Sequence, residues 1–174
     1  MKIETYEQTI NVEDYIQGYV CVEEFLEMCK ACENYNQKWS CPSYDFDPVE
    51  DYWKKFENLY VVGKKMMLDE EDKENWQTLM AEVKADLTRE LDVREQETPG
   101  SQALSAGSCQ ICGENNCTRK NGEPCRFPEK MRYSIESIGG NVGLTCSKLL
   151  GIRLQWIEEG QIPDYFVLVG GLLY

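Results

Sequence analysis

Leu59-Tyr60-Val61-Val62-Gly63-Lys64-Lys65-Met66-Met67-Leu68 is the stretch on which the fold turns. It opens with residues that suit a pleated surface and predicts a strand from Leu59 running on towards Leu68. Downstream, Asp69-Glu70-Glu71-Asp72 reads as a solvated turn. Trp76, Leu79, Met80, Val83 and Leu87 then recur at helical spacing, which predicts a helix with a core-facing stripe, broken at Thr98-Pro99-Gly100. Upstream, Ile3 to Ile10 alternates as a strand. Tyr15, Ile16, Tyr19, Val22, Phe25, Leu26 and Met28 suit one or two helices between Val12 and Ala31. Asn34 to Pro48 reads as a loop, and Pro48-Val49-Glu50-Asp51-Tyr52-Trp53 as a helix start capped by Asp47. Towards the end, Ser134 to Leu150 is helical around Gly139-Gly140, a pair that equally well divides it. Ile152 to Ile157 and Tyr165 to Tyr174 read as two strands joined as a hairpin near Glu159-Gly160. This mixture predicts an α+β fold: a small mixed or antiparallel sheet with flanking helices, not a doubly wound sheet. One domain, 1–174, is expected, with a metal-binding lobe made by cysteine-rich loops at about 29–48 and 107–130.

Composition narrows the chemistry. The 174 residues are 42% apolar, enough for a packed core without cross-links. There is no histidine. That removes Cys/His zinc fingers, Ser-His-Asp and Cys-His catalysis, and histidine-ligated haem. The balance of 18 basic against 31 acidic residues, a formal charge of -13, repels phosphate backbones and anionic lipid. Neither nucleic acid nor membrane is therefore an expected partner, whereas a protein with a basic face is compatible. The acidic, mixed N-terminus and the lack of a membrane-length apolar run point to a cytoplasmic address.

That address decides how the nine cysteines are read, because in a reducing compartment such a density indicates metal. Nine is also odd, which prevents complete disulfide pairing within one chain. One group is Cys29-Lys30-Ala31-Cys32 with Cys41 in Trp39-Ser40-Cys41-Pro42. The other is Cys109-Gln110-Ile111-Cys112 with Cys117 and Cys125. A Cys-x-x-Cys turn aims two thiolates at one centre, and its backbone N–H groups stabilise their charge. The second group thus has the four thiolates of a complete site. Zinc takes four thiolates, usually from two such knuckles. A [4Fe–4S] cluster also takes four, from one knuckle plus more distant cysteines, often with proline following. One knuckle per group and Pro42 after Cys41 favour iron–sulfur, while zinc shared by Cys29, Cys32, Cys109 and Cys112 remains open. The first group has three cysteines. Its fourth position is filled by Cys21 or Cys146, or is left to a non-protein ligand; both cysteines equally suit burial as small apolar residues. Tyr35, Trp39, Tyr44 and Phe46 around Cys41 either shield a cluster from water or simply pack a small lobe.

Taken together, Cys29-x-x-Cys32-x-x-Tyr35-x-x-x-Trp39-Ser40-Cys41-Pro42, Gly107-Ser108-Cys109-x-x-Cys112 and the run from Pro124-Cys125-Arg126-Phe127-Pro128 through Tyr133-Ser134-Ile135-Glu136 resemble a bacterial and archaeal family of predicted metal-binding proteins, the cysteine-rich domain of unknown function 2284. The resemblance runs from about Cys29 to about Thr145. It implies a metal or iron–sulfur site shared between the two cysteine groups and no established reaction. Ser43 stands where the family has a second proline, and Asn141 falls in a stretch where the family has an acid. Neither departure removes a thiolate.

Arg126, Arg132, Ser134 and Glu136 follow the last cysteine. The arginines suit an anionic substrate or a charged cluster. Arg132 and Glu136 are also spaced as a helix-surface pair, and Ser134 as an N-cap facing Ser137. The expectation is an iron–sulfur protein that transfers electrons or supports a redox protein partner. The alternatives are a zinc-stapled binding module and an enzyme whose three-cysteine cluster leaves one iron open to an anionic small molecule.

Overall fold

The computed structural model describes residues 1–113 and 115–174. Four antiparallel strands form one sheet in the order β1-β2-β4-β3: β1 Lys2–Asn11, β2 Asn58–Met67, β3 Gln102–Leu104 and β4 Tyr165–Leu173. Helices α1 Val12–Tyr19, α2 Val22–Lys30, α3 Glu70–Glu74, α4 Trp76–Glu97 and α5 Val142–Leu144 flank it, which makes the fold α+β. Among the described residues no helix is long and apolar enough to cross a membrane.

Strand alternation divides the core between two faces. Val62 and Leu172 meet Leu87 and Leu91 of α4, while Met66 meets Val83. On the other face Leu59, Val61, Val169 and Leu173 pack with Tyr15 of α1, Trp53, and Cys146 and Leu150. The last two lie in a π-helical turn, Thr145–Leu150, that continues α5. The polar ends of the two largest buried side chains are satisfied: Tyr15 Oη lies 2.7 Å from Thr145 Oγ1, and Trp53 Nε1 donates to Ile138 O at 2.9 Å. Trp53 thereby ties the sheet core to the turn that carries Glu136.

Several expectations need correction. The last strand makes no hairpin with 152–157, which is not a strand. Both edges of β4 are already taken, by β2 and β3, and only a Glu158–Gln161 bridge forms at the expected turn. Asp47 Oδ1 does accept from the N–H groups of Val49 and Glu50, but only turns and a short 3-10 helix, Trp53–Lys55, follow. Asp69 to Asp72 is no plain turn: Asp69 and Asp72 form a capping box that starts α3, and Asp72 also pairs with the N-terminal amine at 2.8 Å. Gly139-Gly140 divides its segment, leaving a 3-10 helix, Glu136–Ile138, before α5.

The division has a steric cause. Gly139 has φ +89°, and a Cβ there would sit 2.7 Å from Val22 Cγ2; one on Gly140 would sit 2.4 Å from Ile135 Cγ2. Small residues therefore let this turn press against the α1–α2 junction. There Cys21 N–H donates to Gly139 O at 2.8 Å, and Asn141 N–H donates to Tyr19 O at 2.7 Å. The contact sets the last turn of α2, which holds Cys29, beside Glu136.

Candidate metal centre

The two cysteine loops meet beyond the β3 end of the sheet. Residues 105–134 leave the sheet and return to it at a Ser105–Ser134 bridge, where Ser105 N–H donates to Tyr133 O at 2.8 Å. Arg132 clamps the base of this loop. Its guanidinium takes both carboxylate oxygens of Glu95 on α4, and it donates to Glu129 O and Met131 O. This corrects the expected Arg132–Glu136 pair, because no regular helix spans the two residues. It also commits Arg132 to a structural contact. Arg126 is exposed.

Cys109, Cys112, Cys117 and Cys125 line one narrow cavity of about 20 Å³, walled by Trp39, Phe127 and Met131. Desolvation pushes the Cys109 thiol up; the Ile111 N–H opposes that shift, and Cys125, Cys112 and Cys117 add to it. Trp39 lies in the other cysteine loop, so the aromatic beside Cys41 shields the opposite group. Tyr44 and Phe46 join Tyr52 and Tyr133 in a packed aromatic cluster and also line the cavity beside Cys29.

The first group is set by the end of α2. Cys29 lies in its last turn, and Cys32 N–H donates to Cys29 O at 3.0 Å. The chain then loops until Asn36 N–H reaches Pro42 O at 2.9 Å, while Asn36 Oδ1 accepts from Ser43 N–H and Oγ–H. Burial pushes both the Cys29 and Cys41 thiols up. Cys41, Cys32 and Glu136 raise Cys29 further, whereas the Ser40 hydroxyl, Lys38 and Arg119 draw Cys41 back. Cys146 is buried in the sheet core, but Cys21 is exposed at the start of α2, contrary to the apolar reading of both.

Four side chains joining the groups were not singled out from the sequence. Arg119 donates to Lys38 O, Cys41 O, Asn36 Oδ1 and Ser43 O, and lies over the Trp39 ring. Ser40 is buried, and its Oγ accepts from Cys109 N–H at 2.9 Å. Lys38 and Lys84 both reach Ser108, at its Oγ and its carbonyl, each at 3.0 Å. Burial draws the Lys84 ammonium down, as does Lys38; Cys109, Glu136 and Cys41 oppose. Arg119 stands between two cysteines just as Arg126 stands beside one, and that position was the available signal. Ser40 lies within the quoted Trp39-Ser40-Cys41-Pro42 run, whereas nothing local marks Lys84.

Ser134 and Ser137 bond reciprocally, each hydroxyl accepting from the other's N–H, although the N-cap of the following 3-10 helix is Ile135, which makes no side-chain cap bond. Glu136 lines a second cavity, of about 130 Å³, together with Cys29 and Pro42. The residue as a whole is only partly buried, yet its Oε2 is shielded from solvent and has no hydrogen-bond partner. Burial pushes this carboxyl up, while its own backbone N–H, the Ser134 hydroxyl and, least, Lys84 oppose the shift. A third cavity, about 750 Å³, opens between α4 and the second loop and is lined by Cys109, Lys84, Asp92 and Arg132.

The donor set fits a thiolate-bound metal. All nine cysteines are free thiols, four face one cavity, and an orphaned carboxylate oxygen stands beside the three-cysteine group. Among the described residues, no three Cys, Asp or Glu side chains form a group that could hold a metal ion. The model of a protein family described as "Predicted metal-binding protein (DUF2284)" matches residues 15–174. No curated protein and no solved structure matches the chain.

Proposed function

The chain belongs to this family of predicted metal-binding proteins, and from that premise we propose that it is an iron–sulfur protein that transfers electrons to, or supports, a redox protein partner. Cys109, Cys112, Cys117 and Cys125 hold one [4Fe–4S] cluster; Cys29, Cys32 and Cys41 hold part of a second. The observation that carries this reading is the shared cavity of the first four thiols, with both loops cross-tied around it by Ser40 and Arg119. A bound cluster supplies one-electron chemistry at a potential set by its surroundings. The protein's part is to fix the thiols and to exclude water with Trp39 and Met131. Ile111 and Phe127 are exposed near the second group and offer a partner an apolar contact within an acidic surface that favours a basic face. The proposed address is the cytoplasm.

One observation favours zinc instead. A cavity of about 20 Å³ has room for about one small atom between the thiols, which suits a single ion stapling the loops. The enzyme reading places an anionic small molecule at an open iron of the three-cysteine group with Arg126 and Arg132 as anion holders, but Arg132 is already bound to Glu95; the 750 Å³ cavity lies beside Cys109.

Metal and inorganic sulfide analysis, with an absorption spectrum, on protein purified without oxygen separates these readings. Brown protein with matching iron and sulfide supports the cluster, and the iron count distinguishes one cluster from two. Colourless protein with stoichiometric zinc that resists reconstitution with iron and sulfide overturns electron transfer.

A further inference from the structure

The geometry points to the cavity between α4 and the second cysteine loop as a binding site for a small organic acid, its carboxylate on Lys84 and its apolar body laid along α4. This goes beyond the proposed electron transfer and does not depend on which metal the thiols hold.

Size and walls set the class of ligand. The space is about 750 Å³, within the range of about 300–1,000 Å³ that small-molecule sites occupy. One wall is a face of α4, where Ala85 and Thr88 leave room and Leu91 forms a buried floor. Facing it are Leu104 of β3 and Ile111 of the loop. Ile111 is exposed, and an apolar occupant takes it out of water. Cys109 and Ile111 also wall the four-thiol cavity, so the bound acid lies beside the proposed metal centre.

Charge sets the polar end and the orientation. Lys84 is half-buried, and its ammonium donates to Ser108 O at 3.0 Å. An ammonium carries three N–H donors. Among the described residues no carboxylate pairs with this one, whereas Lys54, Lys64 and Lys73 each have an ion pair. Lys38 Nζ reaches the same serine at its Oγ, so two ammoniums converge there. A carboxylate entering the cavity satisfies the donors that Ser108 leaves over. The cavity's own carboxylates gather at its other end. Glu95 is held by Arg132, whose guanidinium also takes Glu129 O, and the charged neighbours of Asp92 are Arg132, Glu95 and Lys130. Asp92, Glu95 and Glu129 thus outnumber Lys130 and Arg132 there. Asp92 stands about 12 Å along the helix from Lys84, which leaves the stretch from Ala85 to Leu91 for the apolar body.

Octanoate, octan-1-ol and octylamine, which share a chain length and differ in charge, are titrated by calorimetry into protein purified without oxygen. The variants are Lys84→Gln, which keeps a donor for Ser108 O, and Ala85→Trp, at an exposed helix position; circular dichroism checks each fold. The expected result is one octanoate per chain, bound about tenfold tighter than octan-1-ol, the margin of one charge-assisted hydrogen bond. Octylamine binds no better than the alcohol. Lys84→Gln brings octanoate down to the alcohol's affinity, and Ala85→Trp weakens both by filling the space. Octanoate that binds no tighter than octan-1-ol or octylamine overturns the proposal, as does a folded Lys84→Gln protein that keeps the full preference for the acid. A folded Ala85→Trp protein with unchanged octanoate affinity places the acid outside this cavity and overturns it equally.

Discussion

The sheet and the cysteine loops are held together by different physics. The sheet carries its own apolar core on both faces, with Trp53, Leu59, Met66, Leu87 and Leu104 essentially inaccessible to water. Between 107 and 132, by contrast, none of the described residues contributes a buried apolar side chain, and Thr118 is the only buried residue. The loops depend on polar ties instead: Arg119 to four acceptors, Ser40 to Cys109, Lys38 and Lys84 to Ser108, and Arg132 to Glu95. Partly buried ties of this kind are few and contribute about 1–3 kcal/mol each, the larger values where a charge is involved, whereas the sheet has many fully buried large apolar side chains that contribute about 1.5–3 kcal/mol each. A region so built folds firmly only when something further links its donors, and seven thiols are placed to bind that link.

Metal removal should break the comparison most strongly. Thiolate-bound metal contributes on the order of 10 kcal/mol to a small site's folding. Anaerobic chelation should therefore abolish amide-exchange protection in residues 115–130 and leave β2 and β4 protected. Uniform loss across sheet and loops would mean that the two regions are one cooperative unit. Next in size is Trp53→Ala. It empties a fully buried site and orphans Ile138 O, so about 3–5 kcal/mol of sheet stability should be lost. The denaturant midpoint should fall in both metal-loaded and stripped protein. If it falls only in the loaded form, Trp53 serves the site rather than the core.

The same division explains what could be read from the chain. The strand at Leu59 and the stripe of α4 were legible because the apolar period is local and strong. The hairpin at 152–174 was misread because β4 takes partners far away in sequence, Val62 and Ala103 among their residues, and no local pattern records that choice. Cysteine groups advertise themselves through spacing. Arg119 and Ser40 do not, because each works on a loop some 70–80 residues away; the separations are 81 for Arg119–Lys38 and 69 for Ser40–Cys109. Glu136 was expected either in the polar surround of the site or, from its helical spacing to Arg132, in a surface pair; Gly139-Gly140 cancels that helix by drawing the turn inward.

Arg119 sharpens the contrast from the loop side. Arg119→Ala removes several hydrogen bonds from a charged donor and should cost the loops about 2–3 kcal/mol. The measurement is a metal competition assay beside a melt of the sheet. Affinity should fall by about 30–150-fold, while the sheet's midpoint stays put. Arg119→Lys should recover little, since a single ammonium cannot span acceptors spread over residues 36–43. An equal drop in the sheet's midpoint would show that the loops and the core are coupled through this guanidinium.

The smallest effect is a pH slope. Burial pushes the Cys146 thiol up to about 12, and the nearby Glu136 charge adds to the shift. An unfolded cysteine ionises near about 8.5, so above that pH the folded chain keeps a proton that the unfolded chain releases. The stability this thiol contributes is therefore complete below about pH 8.5. It declines as pH rises, by at most about 1.4 kcal/mol per pH unit. Cys29, Cys41 and Cys109 are raised in the same direction when metal-free. Metal binding takes their protons, which removes them from the balance. Denaturant midpoints between about pH 8.5 and about pH 10, below the range where the raised Tyr15 and Tyr52 begin to contribute, should thus fall more steeply in stripped than in loaded protein. Cys146→Ala should flatten what slope remains in the loaded form. Equal slopes with and without metal would mean either that the folded, stripped loops hold no extra thiol protons or that metal takes none from them.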